Sequence, residues 1–467
     1  MVILGRILPF ITVRLSDTQA GFRKGRGCRD NIFILTQLID KLLTDAEDET
    51  RSAAVITYID FTAAFDSISH QYLLKALIEY SVPLKYSRNI DVRRGVIQGD
   101  IPSPVCFLVA LDKLLKDHGN PPNSGVQLTP ALHLASLEYA DDAAMPDAST
   151  ATSSQRLTHF SEKAEEEAGM KISIQKTKAQ HIRKRAKVSD TTEEDVSNLP
   201  DDKKFKYECD KCGMTYPTKH GLAVHKGRHC KGRRRAKKPS RKGTVADRIV
   251  KRLKVERHQD TYEKVKIGSD ELDNVFTFIY LGAEIPADGD GLIPVKHRCD
   301  VAWGRFGEYR KTLMSAQLPV VTRCRLQNSL VTSSTMIYGC EAWKLTVPVK
   351  KMLNSTNSKQ ISLITKRTIH QEAKTPTIDA LKMVKKRRHQ YLGHILRMDP
   401  NRLLYRFLVE VSPQQNEGAL LSEIPHRTLD ELLAAAADRD GWRKLLKNNE
   451  ETNVGESGAS LGTARSR

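Results

Sequence analysis

The sequence predicts an α+β fold with a small metal-binding module inserted near the middle of the chain. Residues 1–180 alternate β-rich runs with segments of helical periodicity, which is typical of a mixed core. A cysteine/histidine pattern with metal-ligand spacing follows at residues 207–230. Residues 296–400 then contain helical patterns with many basic positions. The chain has 467 residues, of which 39% are hydrophobic, and this is enough for about three domains with buried cores.

The chain is strongly basic. It contains 75 Lys and Arg against 56 Asp and Glu, which gives a formal net charge of +19. A protein of this charge usually binds a polyanion, and we expect nucleic acid. An unspecialised basic surface is the alternative. No apolar run approaches the roughly 18 residues that a membrane span needs, so we expect no membrane partner.

The N-terminal part divides into five elements. Residues 55–60 form a short β-rich run, and residues 68–80 have Leu and Ile at helical spacing. Residues 102–115 have a second helical pattern, and residues 137–145 are typical of a β-hairpin with an acidic tip. Residues 150–169 predict a helix that ends at a glycine.

Carboxylates accompany the two apolar strand patterns. Asp60 ends the first strand, and Asp141 and Asp142 lie in the hairpin. Apolar flanks fix these side chains, and their mutual repulsion makes them costly without a cation. Two Mg²⁺ ions roughly 3.5–4 Å apart would neutralise them and clamp a phosphoryl transfer. An aspartate pair by itself is more often a turn or cap feature, so the surrounding motifs decide between the two interpretations.

Motifs occur in a fixed order along residues 1–400. They are residues 19–33, 60–66, 98–100 and 139–142, Lys176 in a Lys-Thr pair, and residues 280–282, 338–343 and 388–399. In this order they resemble the fingers, two palm motifs, catalytic box, Lys-Thr motif, primer-grip hairpin, thumb and tail of the reverse transcriptase of non-LTR (LINE-like) retrotransposons. Each motif is weak alone, but the ordered set is specific. The resemblance implies a right-hand-like polymerase with fingers, palm and a helical thumb.

The resemblance assigns metal binding and sugar selection to the first palm motif and the hairpin. Asp60, Asp141 and Asp142 would hold the two Mg²⁺ ions, with the backbone of Phe61 beside them. Phe65 would be an aromatic gate that clashes with a ribose 2′-hydroxyl, and plain core packing is the alternative. The implied reaction is two-metal transfer of a deoxynucleotide to a primer 3′-hydroxyl.

The same resemblance implies further substrate contacts. Gln98 and Gly99 would line the nucleotide and template pocket, where a glycine lets the backbone approach a base closely. Lys176 could protonate pyrophosphate. Arg23 and Arg26 could contact the triphosphate or the template. Solvated surface charge is the alternative for these three cations.

The resemblance and the composition together divide the chain into seven segments. They are fingers and palm (1–188), a flexible acidic linker (189–204), a zinc finger (205–230), a basic linker (231–258), a primer-grip-like hairpin (259–295), a helical thumb and C-terminal region (296–451) and a disordered tail (452–467). The palm is shortened after residue 82, before the second palm motif, and Ser173 stands where the family has Asn. We therefore expect a truncated copy without an endonuclease.

The cysteine/histidine module has the spacing Cys-x2-Cys-x12-His. Cys209, Cys212 and His225 are three clear ligands for one Zn²⁺ ion. The fourth ligand is Cys230 or His229. We favour Cys230, because a thiolate is the softer ligand and similar retroelement fingers tend to end in Cys. A unit this small cannot fold without zinc, so we expect a small ββα zinc finger.

A basic run follows the module. Residues 231–254 contain 12 Lys or Arg and one acid. The cations that we expect to bind nucleic-acid phosphates include Arg233, Arg234, Arg235, Lys237, Lys238, Arg241 and Lys242. The run also fits a nuclear localisation signal, with a solvated linker as the alternative.

The sequence therefore predicts an RNA-directed DNA polymerase, a nucleotidyltransferase with two Mg²⁺ ions and one Zn²⁺ ion. Its partners would be an RNA template, a DNA primer or target, and dNTPs. It would act in the nucleus, with the cytoplasm as a second compartment. The alternative is a catalytically inactive retroelement remnant that only binds nucleic acid through zinc and the basic run. A sequence-specific transcription factor is a weaker interpretation, because one finger reads only about three base pairs.

Overall fold

A computed structural model gives the fold of the chain. It describes residues 2–46, 53–82, 94–97, 100, 102–184, 207–208, 215–216, 262–366, 379–411, 420–424 and 427–446. The chain divides into two compact units. The first comprises Met1–Lys184 and Lys264–Arg467, and the second is Arg185–Glu263.

The first unit begins with helices and strands that alternate along the chain. Up to residue 119 these are α1 (Val2–Thr12), α2 (Cys28–Asp45), β1 (Ala54–Ile59), β2 (Phe61–Thr62), α3 (Ala64–Ser67), α4 (His70–Glu79) and α5 (Ser103–Leu114), with a π-helical turn at Leu115–Gly119. The next elements are β3 (Val126–Thr129), β4 (Leu132–Leu134), β5 (Leu137–Tyr139), β6 (Asp142–Asp147), α6 (Thr150–Lys163), a π-helical turn at Ala164–Ala168, β7 (Lys171–Ile172) and β8 (Lys178–Ile182).

The second unit contains one short pair of strands in its described residues. β9 (Tyr207–Glu208) and β10 (Thr215–Tyr216) are antiparallel, with Tyr216 opposite Tyr207. Outside the described residues lie the predicted zinc ligands Cys209, Cys212, His225, His229 and Cys230 and the predicted basic run at residues 231–254. The zinc finger therefore stays a prediction.

The first unit resumes with short strands and continues as helices. The strands are β11 (Lys266–Ile267), β12 (Asp270–Glu271), β13 (Asp273–Asn274), β14 (Thr277–Tyr280) and β15 (Ala283–Pro286). The first helices are α7 (Leu292–Glu308), α8 (Arg310–Leu313) and α9 (Val320–Gln327), which continues as a π-helical stretch at Asn328–Met336 and is followed by a 3-10 turn at Cys340–Ala342. The next are α10 (Val347–Thr365), α11 (Ala380–Leu396) and α12 (Leu403–Arg406), which continues as a π-helical turn at Phe407–Val411. A 3-10 turn at Leu421–Glu423, α13 (Leu429–Ala436) and α14 (439–446) follow. We call residues 292–446 the helical region.

A five-stranded sheet forms the middle of the first unit, in the order β13-β8-β1-β6-β5. β1 pairs antiparallel with β6 and β8, whereas edge strand β13 runs parallel to β8. All six residues of β1 are buried. Ile56 and Tyr58 face the core that contains α2, and Val55 and Ile59 face the core that contains α4, α5 and α6. Burial on both faces explains why apolar side chains point to both sides of β1, in which Thr57 is the one aliphatic hydroxyl residue.

The helical region has a core of its own and shares one helix with the sheet. Val295 and Phe306 of α7 pack in the same cluster as Leu353 of α10 and Val384 of α11. The C-terminal half of α11 belongs instead to the core on the α2 side of the sheet, through residues such as Tyr391. Helix α11 therefore connects the helical region to the sheet.

The mixed architecture confirms the predicted α+β class. Strand β1, helices α4, α5 and α6 and the β5–β6 hairpin lie where the sequence predicted them. Gly169 ends the helix that follows the hairpin, with a left-handed φ of 70°. Its last turn, however, is π-helical at Ala164–Ala168. No helix in the described part of the chain has both the length and the apolar character to cross a membrane.

We expect Arg156→Met to destabilise the first unit strongly. Arg156 of α6 is fully buried, and its guanidinium lies 3.1 Å from Asp147 and donates to the carbonyls of Gly119 (2.6 Å) and Ala135 (2.8 Å). Methionine keeps an apolar stem but leaves Asp147 as a buried carboxylate without this ion pair. The free energy of unfolding, measured by urea titration, should fall by about 3–5 kcal/mol.

The matched control is Arg305→Met. Arg305 forms an exposed ion pair with Glu308 at 2.7 Å. Its replacement should change the free energy of unfolding by no more than about 0.5 kcal/mol, because exposed pairs contribute little. Equal effects of the two substitutions would show that the buried pair does not stabilise the sheet.

Candidate active site

Asp60 lies directly after the central strand β1. Its N–H donates to Thr177 Oγ1 over 3.3 Å, and its carbonyl accepts from Ser173 N over 2.8 Å. The segment between β7 and β8 therefore fixes the backbone of Asp60 on both sides. The Asp60 side chain remains 39% exposed, so its carboxylate is accessible to a ligand.

Asp141 and Asp142 lie at the turn between β5 and β6. Tyr139 and Asp142 form the closing pair of this hairpin. Ala140, the first residue of the turn, has a φ of 57°, in the left-handed region that residues with a Cβ rarely adopt. This conformation costs about 1–2 kcal/mol for an alanine. Neighbouring contacts must therefore hold the turn.

The strand register brings the two acidic segments together. β1 and β6 pair Ile59 with Ala143. This pair is the last of the register, one residue before Asp60 and one residue after Asp142. The charge of Asp60 contributes to the raised pKa of Asp142, so the two carboxyl groups lie near each other. We call Asp60, Asp141 and Asp142 the acidic site.

The carboxylates of the acidic site repel each other. Burial, and then the charges of Asp141 and Asp60, raise the pKa of Asp142 to about 6. The raised pKa means that the ionised form of Asp142 is unfavourable in the absence of a positive ligand. Titratable groups perturbed in this way are typical of functional sites.

Lys176 lies beside Asp60, where the sequence predicted a substrate contact. Its Nζ is 3.3 Å from Asp60 Oδ1, and both side chains are exposed. Such an exposed pair contributes at most about 1 kcal/mol. The lysine can therefore leave Asp60 when a stronger partner binds to either group.

Carboxylate oxygens are the ligands that Mg²⁺ prefers. The donor chemistry of the acidic site therefore fits a divalent cation, and the raised pKa of Asp142 agrees with it. Within the described residues, however, no group of three or more His, Cys, Asp or Glu side chains is arranged so that it could hold a metal ion. The assignment of Asp60, Asp141 and Asp142 as magnesium ligands stays a prediction.

Phe61 and Phe65 pack next to the acidic site. Phe61 is buried, and its ring meets Phe160 edge-on with centroids 6.4 Å apart. Phe65 is half-buried and stacks on Phe107, with centroids 4.5 Å apart. Core packing, the alternative for Phe65, is thus present on one face of its ring. The gate against a ribose and the role of the Phe61 backbone stay predictions.

The segment before the second palm motif is attached to the first palm motif. Val96 N donates to the carbonyl of Phe65 over 2.6 Å. Gly95 has a φ of 82°, and a Cβ at this position would lie 2.8 Å from the Asp66 carbonyl oxygen. Only glycine fits such a position. Outside the described residues lie the two predicted pocket residues, Gln98 and Gly99.

Arg23 and Arg26 use their guanidinium groups for contacts within the chain. Arg23 donates to the carbonyls of Thr12 (3.1 Å) and Gln19 (3.0 Å). Burial, and then the charge of Arg26, lower the pKa of Arg23 to about 10. Arg26 forms an ion pair with Asp17. Contact with a triphosphate or template stays a prediction, and it would require these internal contacts to be exchanged.

Gln19 is a site residue that sequence reasoning did not single out. Its side chain is fully buried, and Oε1 accepts from the N–H groups of Ala140 (3.1 Å) and Gly21 (2.8 Å). Each such hydrogen bond contributes about 1 kcal/mol, which offsets the strain of the left-handed Ala140. The only sequence signal was its place at the start of the fingers motif, since its partner lies far away in the chain.

A second hairpin, formed by β14 and β15, contacts the sheet beside the acidic site. Tyr280 is buried, and its hydroxyl donates to the carbonyl of Leu137 in β5 over 3.3 Å. Phe278 stacks on Tyr58 of β1, with centroids 4.0 Å apart. The predicted primer-grip hairpin thus supports the central strand and the strand that leads into the acidic turn.

The tip of this second hairpin is held by the helical region. Leu281 and Gly282 have φ values of 48° and 77°. The Tyr338 hydroxyl donates to the carbonyl of Leu281 over 2.9 Å, and Arg298 donates to the carbonyl of Gly282. The Arg298 guanidinium also lies 4.3 Å from the centre of the Tyr338 ring. These contacts, which the sequence did not predict, connect α7 to the hairpin.

A known protein family matches the part of the chain that carries the acidic site. Residues 1–212 match the family model described as reverse transcriptase (RNA-dependent DNA polymerase). The match includes β1 and the β5–β6 hairpin, which carry the acidic site. The N-terminal part of the chain is therefore similar to a reverse transcriptase domain.

Three relatives support this class. The retrovirus-related Pol polyprotein from the type-1 retrotransposable element R2 of Popillia japonica is 31% identical over 108 residues, which are 19% of this chain and 18% of the relative. A putative uncharacterized transposon-derived protein of Caenorhabditis elegans is 26% identical over 216 residues, 40% of this chain and 77% of the relative. The Pol polyprotein from the type-2 element R2DM of Drosophila melanogaster is 27% identical over 168 residues, 30% of this chain and 15% of the relative.

The relatives agree with the predicted resemblance to a non-LTR retrotransposon reverse transcriptase. The chain spans less than a fifth of the length of the two Pol polyproteins. It spans about three quarters of the length of the Caenorhabditis elegans protein.

We expect Asp142→Asn to stabilise the metal-free protein at neutral pH. The pKa of Asp142 in the folded chain, about 6, lies above its ordinary value of 3.8. Stability from this group is therefore present below its ordinary pKa and lost as the pH rises through about 6. Asn removes the repelled charge. In EDTA at about pH 7.5 the Tm of Asp142→Asn should be about 1–3 °C above that of the parent. The expected increase is small because water still reaches the carboxyl group and screens its charge.

Calorimetry across pH provides the check. The difference in Tm between Asp142→Asn and the parent should shrink as the pH falls from about 6 and vanish below 3.8, where the Asp142 side chain is neutral in both the folded and the unfolded chain. Asp270→Asn on exposed β12 is the control, and its Tm at pH 7.5 should stay close to that of the parent because the side chain is exposed. A gain that is independent of pH would contradict the repulsion at Asp142.

Proposed function

We propose that this protein is an RNA-directed DNA polymerase of the non-LTR retrotransposon type. The observation that carries the proposal is the pairing of β1 with β6, which brings Asp60 and Asp142 to adjoining ends of two strands within the segment that matches the reverse transcriptase family model. Nucleotidyl transfer needs carboxylates that lie close together, because they hold the cations that neutralise a triphosphate. Similarity to Pol polyproteins of R2 elements also supports it.

In this proposal the acidic site is the catalytic centre. Asp60, Asp141 and Asp142 would hold two Mg²⁺ ions. Bound magnesium would supply charge neutralisation at the transferred phosphoryl group and the leaving pyrophosphate. The chain itself orients the carboxylates. Thr177 and Ser173 fix the backbone of Asp60, and the hairpin turn fixes the other two.

Lys176 and Phe65 would act on the incoming nucleotide. The exposed ammonium of Lys176, 3.3 Å from Asp60, is free to turn toward pyrophosphate and donate a proton to it. The ring of Phe65, held by its stack on Phe107, would exclude a ribose 2′-hydroxyl by steric contact. The steric exclusion by Phe65 would favour dNTPs as the substrates.

The helical region would supply positive charge for the RNA template and the DNA primer. Residues 292–366 contain twelve Lys or Arg against three Asp or Glu. Exposed lysines on α10 and α11 include Lys351, Lys359, Lys382, Lys385 and Lys386. A surface with this charge attracts the phosphate backbone of nucleic acids.

The inserted unit would add a zinc finger and a nuclear localisation signal. The antiparallel pairing of β9 with β10 is what the first hairpin of a ββα finger requires, and it supports the zinc-binding part of the proposal. The basic run after the finger would bind phosphates and direct the protein to the nucleus.

A second candidate function is nucleic-acid binding without polymerisation. The ion pair between Lys176 and Asp60 favours it, because this internal cation partly neutralises a carboxylate that the polymerase would use for magnesium. The shortened segment between residues 82 and 95 points the same way. The chain would then be a retroelement remnant that binds RNA or DNA through its basic residues.

We expect Asp141→Ala to abolish primer extension and leave the fold intact. The assay uses an RNA template annealed to a DNA primer, with Mg²⁺ and dNTPs. Loss of one carboxylate from the acidic site should lower the rate by on the order of 10³-fold, because several kcal/mol of charge stabilisation are lost. The exposed Asp270→Asn should keep the parental rate.

Two outcomes separate the candidate functions. Equal extension by the parent and Asp141→Ala would exclude the proposed catalytic centre. A folded parent that binds the template and primer in a salt-sensitive manner, but extends no primer, would support the remnant instead.

Zinc content tests the inserted unit. We expect about one zinc ion per chain by elemental analysis, and Cys209→Ser should remove most of it because serine is a poor ligand for zinc. Cys106→Ser is the control, since Cys106 is a half-buried free thiol on α5. Equal zinc content in the two variants would show that Cys209 is not a ligand.

A further inference from the structure

A short segment of the fingers motif runs beside the strand that leads into the acidic site. Gln19 and Glu138 of β5 form a parallel bridge. Glu138 N donates to the carbonyl of Thr18 over 3.2 Å, and Ala20 N donates to the carbonyl of Glu138 over 2.9 Å. We call residues 18–21 the strap. Its backbone extends the hairpin sheet by one more pairing on the side of β5.

The strap ends against the acidic turn itself. A Cβ on Gly21 would lie 2.3 Å from the backbone nitrogen of Ala140, so only glycine permits this approach. Gln19 Oε1 accepts from the N–H groups of both Gly21 and Ala140. One side-chain carbonyl therefore ties the strap to the first residue of the turn. Gln19 is fully buried, so bulk water cannot replace this acceptor.

We propose that Gln19 is a positioning residue whose side-chain carbonyl holds the left-handed turn that carries Asp141 and Asp142. The proposal rests on the polymerase function proposed above. Ala140 has a φ of 57° and is 6% exposed, so its N–H would be buried without a partner if the acceptor were lost. The turn would then relax, and the two carboxylates that follow it would shift relative to Asp60.

A neutral amide suits this position better than a carboxylate. Burial already raises the pKa of the neighbouring Glu138 to about 6. A further charge on residue 19 would add to the repulsion in the acidic site. Within the described residues, Gln19 Nε2 has no hydrogen-bond partner. The carbonyl is therefore the part of the amide that positions the turn.

Gln19→Met tests the proposal, because methionine has a similar volume and offers only a weak acceptor. Gln327→Met is the matched control. Gln327 of α9 is also fully buried and donates to Gln360 Oε1 over 2.8 Å, within the core of the helical region. Both variants lose buried hydrogen bonds, so a general loss of stability affects both.

The first readout is hydrogen–deuterium exchange of the peptide that spans β5, the turn and β6, in metal-free protein. This measurement does not depend on enzyme activity. Exchange in this peptide should be about tenfold faster in Gln19→Met than in the parent, and unchanged in Gln327→Met. Equal protection in the parent and Gln19→Met would overturn the proposal.

The second readout is steady-state primer extension over a range of Mg²⁺ concentrations. We expect kcat to fall by about 10–100-fold in Gln19→Met, with the KM for dNTP changed less than about threefold. The Mg²⁺ concentration for half-maximal rate should rise by about threefold or more. A parental kcat and Mg²⁺ dependence, or equal losses in Gln327→Met, would overturn the proposal.

Failure of the polymerase function would be recognised separately. If the parent extends no primer, the Mg²⁺-induced rise in Tm replaces the rate as the second readout. A higher Mg²⁺ requirement for this rise in Gln19→Met, together with faster exchange at the turn, would still support the positioning role. The same Mg²⁺ requirement in both proteins would overturn it.

Discussion

The antiparallel pairing of β1 with β6 is the interaction on which the rest of the structure depends. β1 is the middle strand of the sheet, and its side chains enter two different cores. A register slip of one residue would turn Ile56 and Tyr58 toward the core that now contains Val55 and Ile59, and the reverse. The side chains would then fit neither core. The apolar contacts that fix this register also bring Asp60 and Asp142 to adjoining ends of β1 and β6. The stability of the sheet and the geometry of the acidic site therefore have one physical origin.

The acidic site itself opposes folding, and its neighbours compensate. The pKa of Asp142 is raised to about 6 by burial and by two nearby carboxylates, and Ala140 is held in a left-handed conformation. Hydrogen bonds from residues outside the hairpin oppose this strain. Gln19 accepts from Ala140, and Tyr280 donates to the carbonyl of Leu137. Strain concentrated at one point of a well-packed sheet is typical of functional sites.

Contacts along the chain connect the predicted motifs into one assembly. The fingers motif reaches the catalytic box through Gln19, and the β14–β15 hairpin reaches the same strand through Tyr280. The helical region holds the tip of that hairpin through Tyr338. Motifs that lie far apart in the chain thus support one short hairpin, formed by β5 and β6.

Secondary-structure elements could be predicted where the residues that determine them lie close together in the sequence. The apolar run of β1, the helices α4, α5 and α6 and the β5–β6 hairpin follow from periodicity and turn residues. Hydrogen-bond and ion-pair partners that lie far apart in the chain could not be predicted. The internal contact of Arg23, whose guanidinium donates to the carbonyl of Thr12, was not predicted from its motif. The buried pair of Arg156 and Asp147 gave no signal, since each residue alone is ordinary.

The sequence by itself determined the α+β class, the order of the motifs and the identity of the acidic residues. These follow from residue type and from spacing along the chain, which act locally. Only the tertiary structure decided that Asp60 and Asp142 lie at adjoining ends of paired strands, that Lys176 pairs with Asp60 and that Gln19 accepts from Ala140. Such contacts depend on strand register and on the packing of distant segments. Many distant pairings are compatible with one local pattern, and the packing of both cores selects a single one.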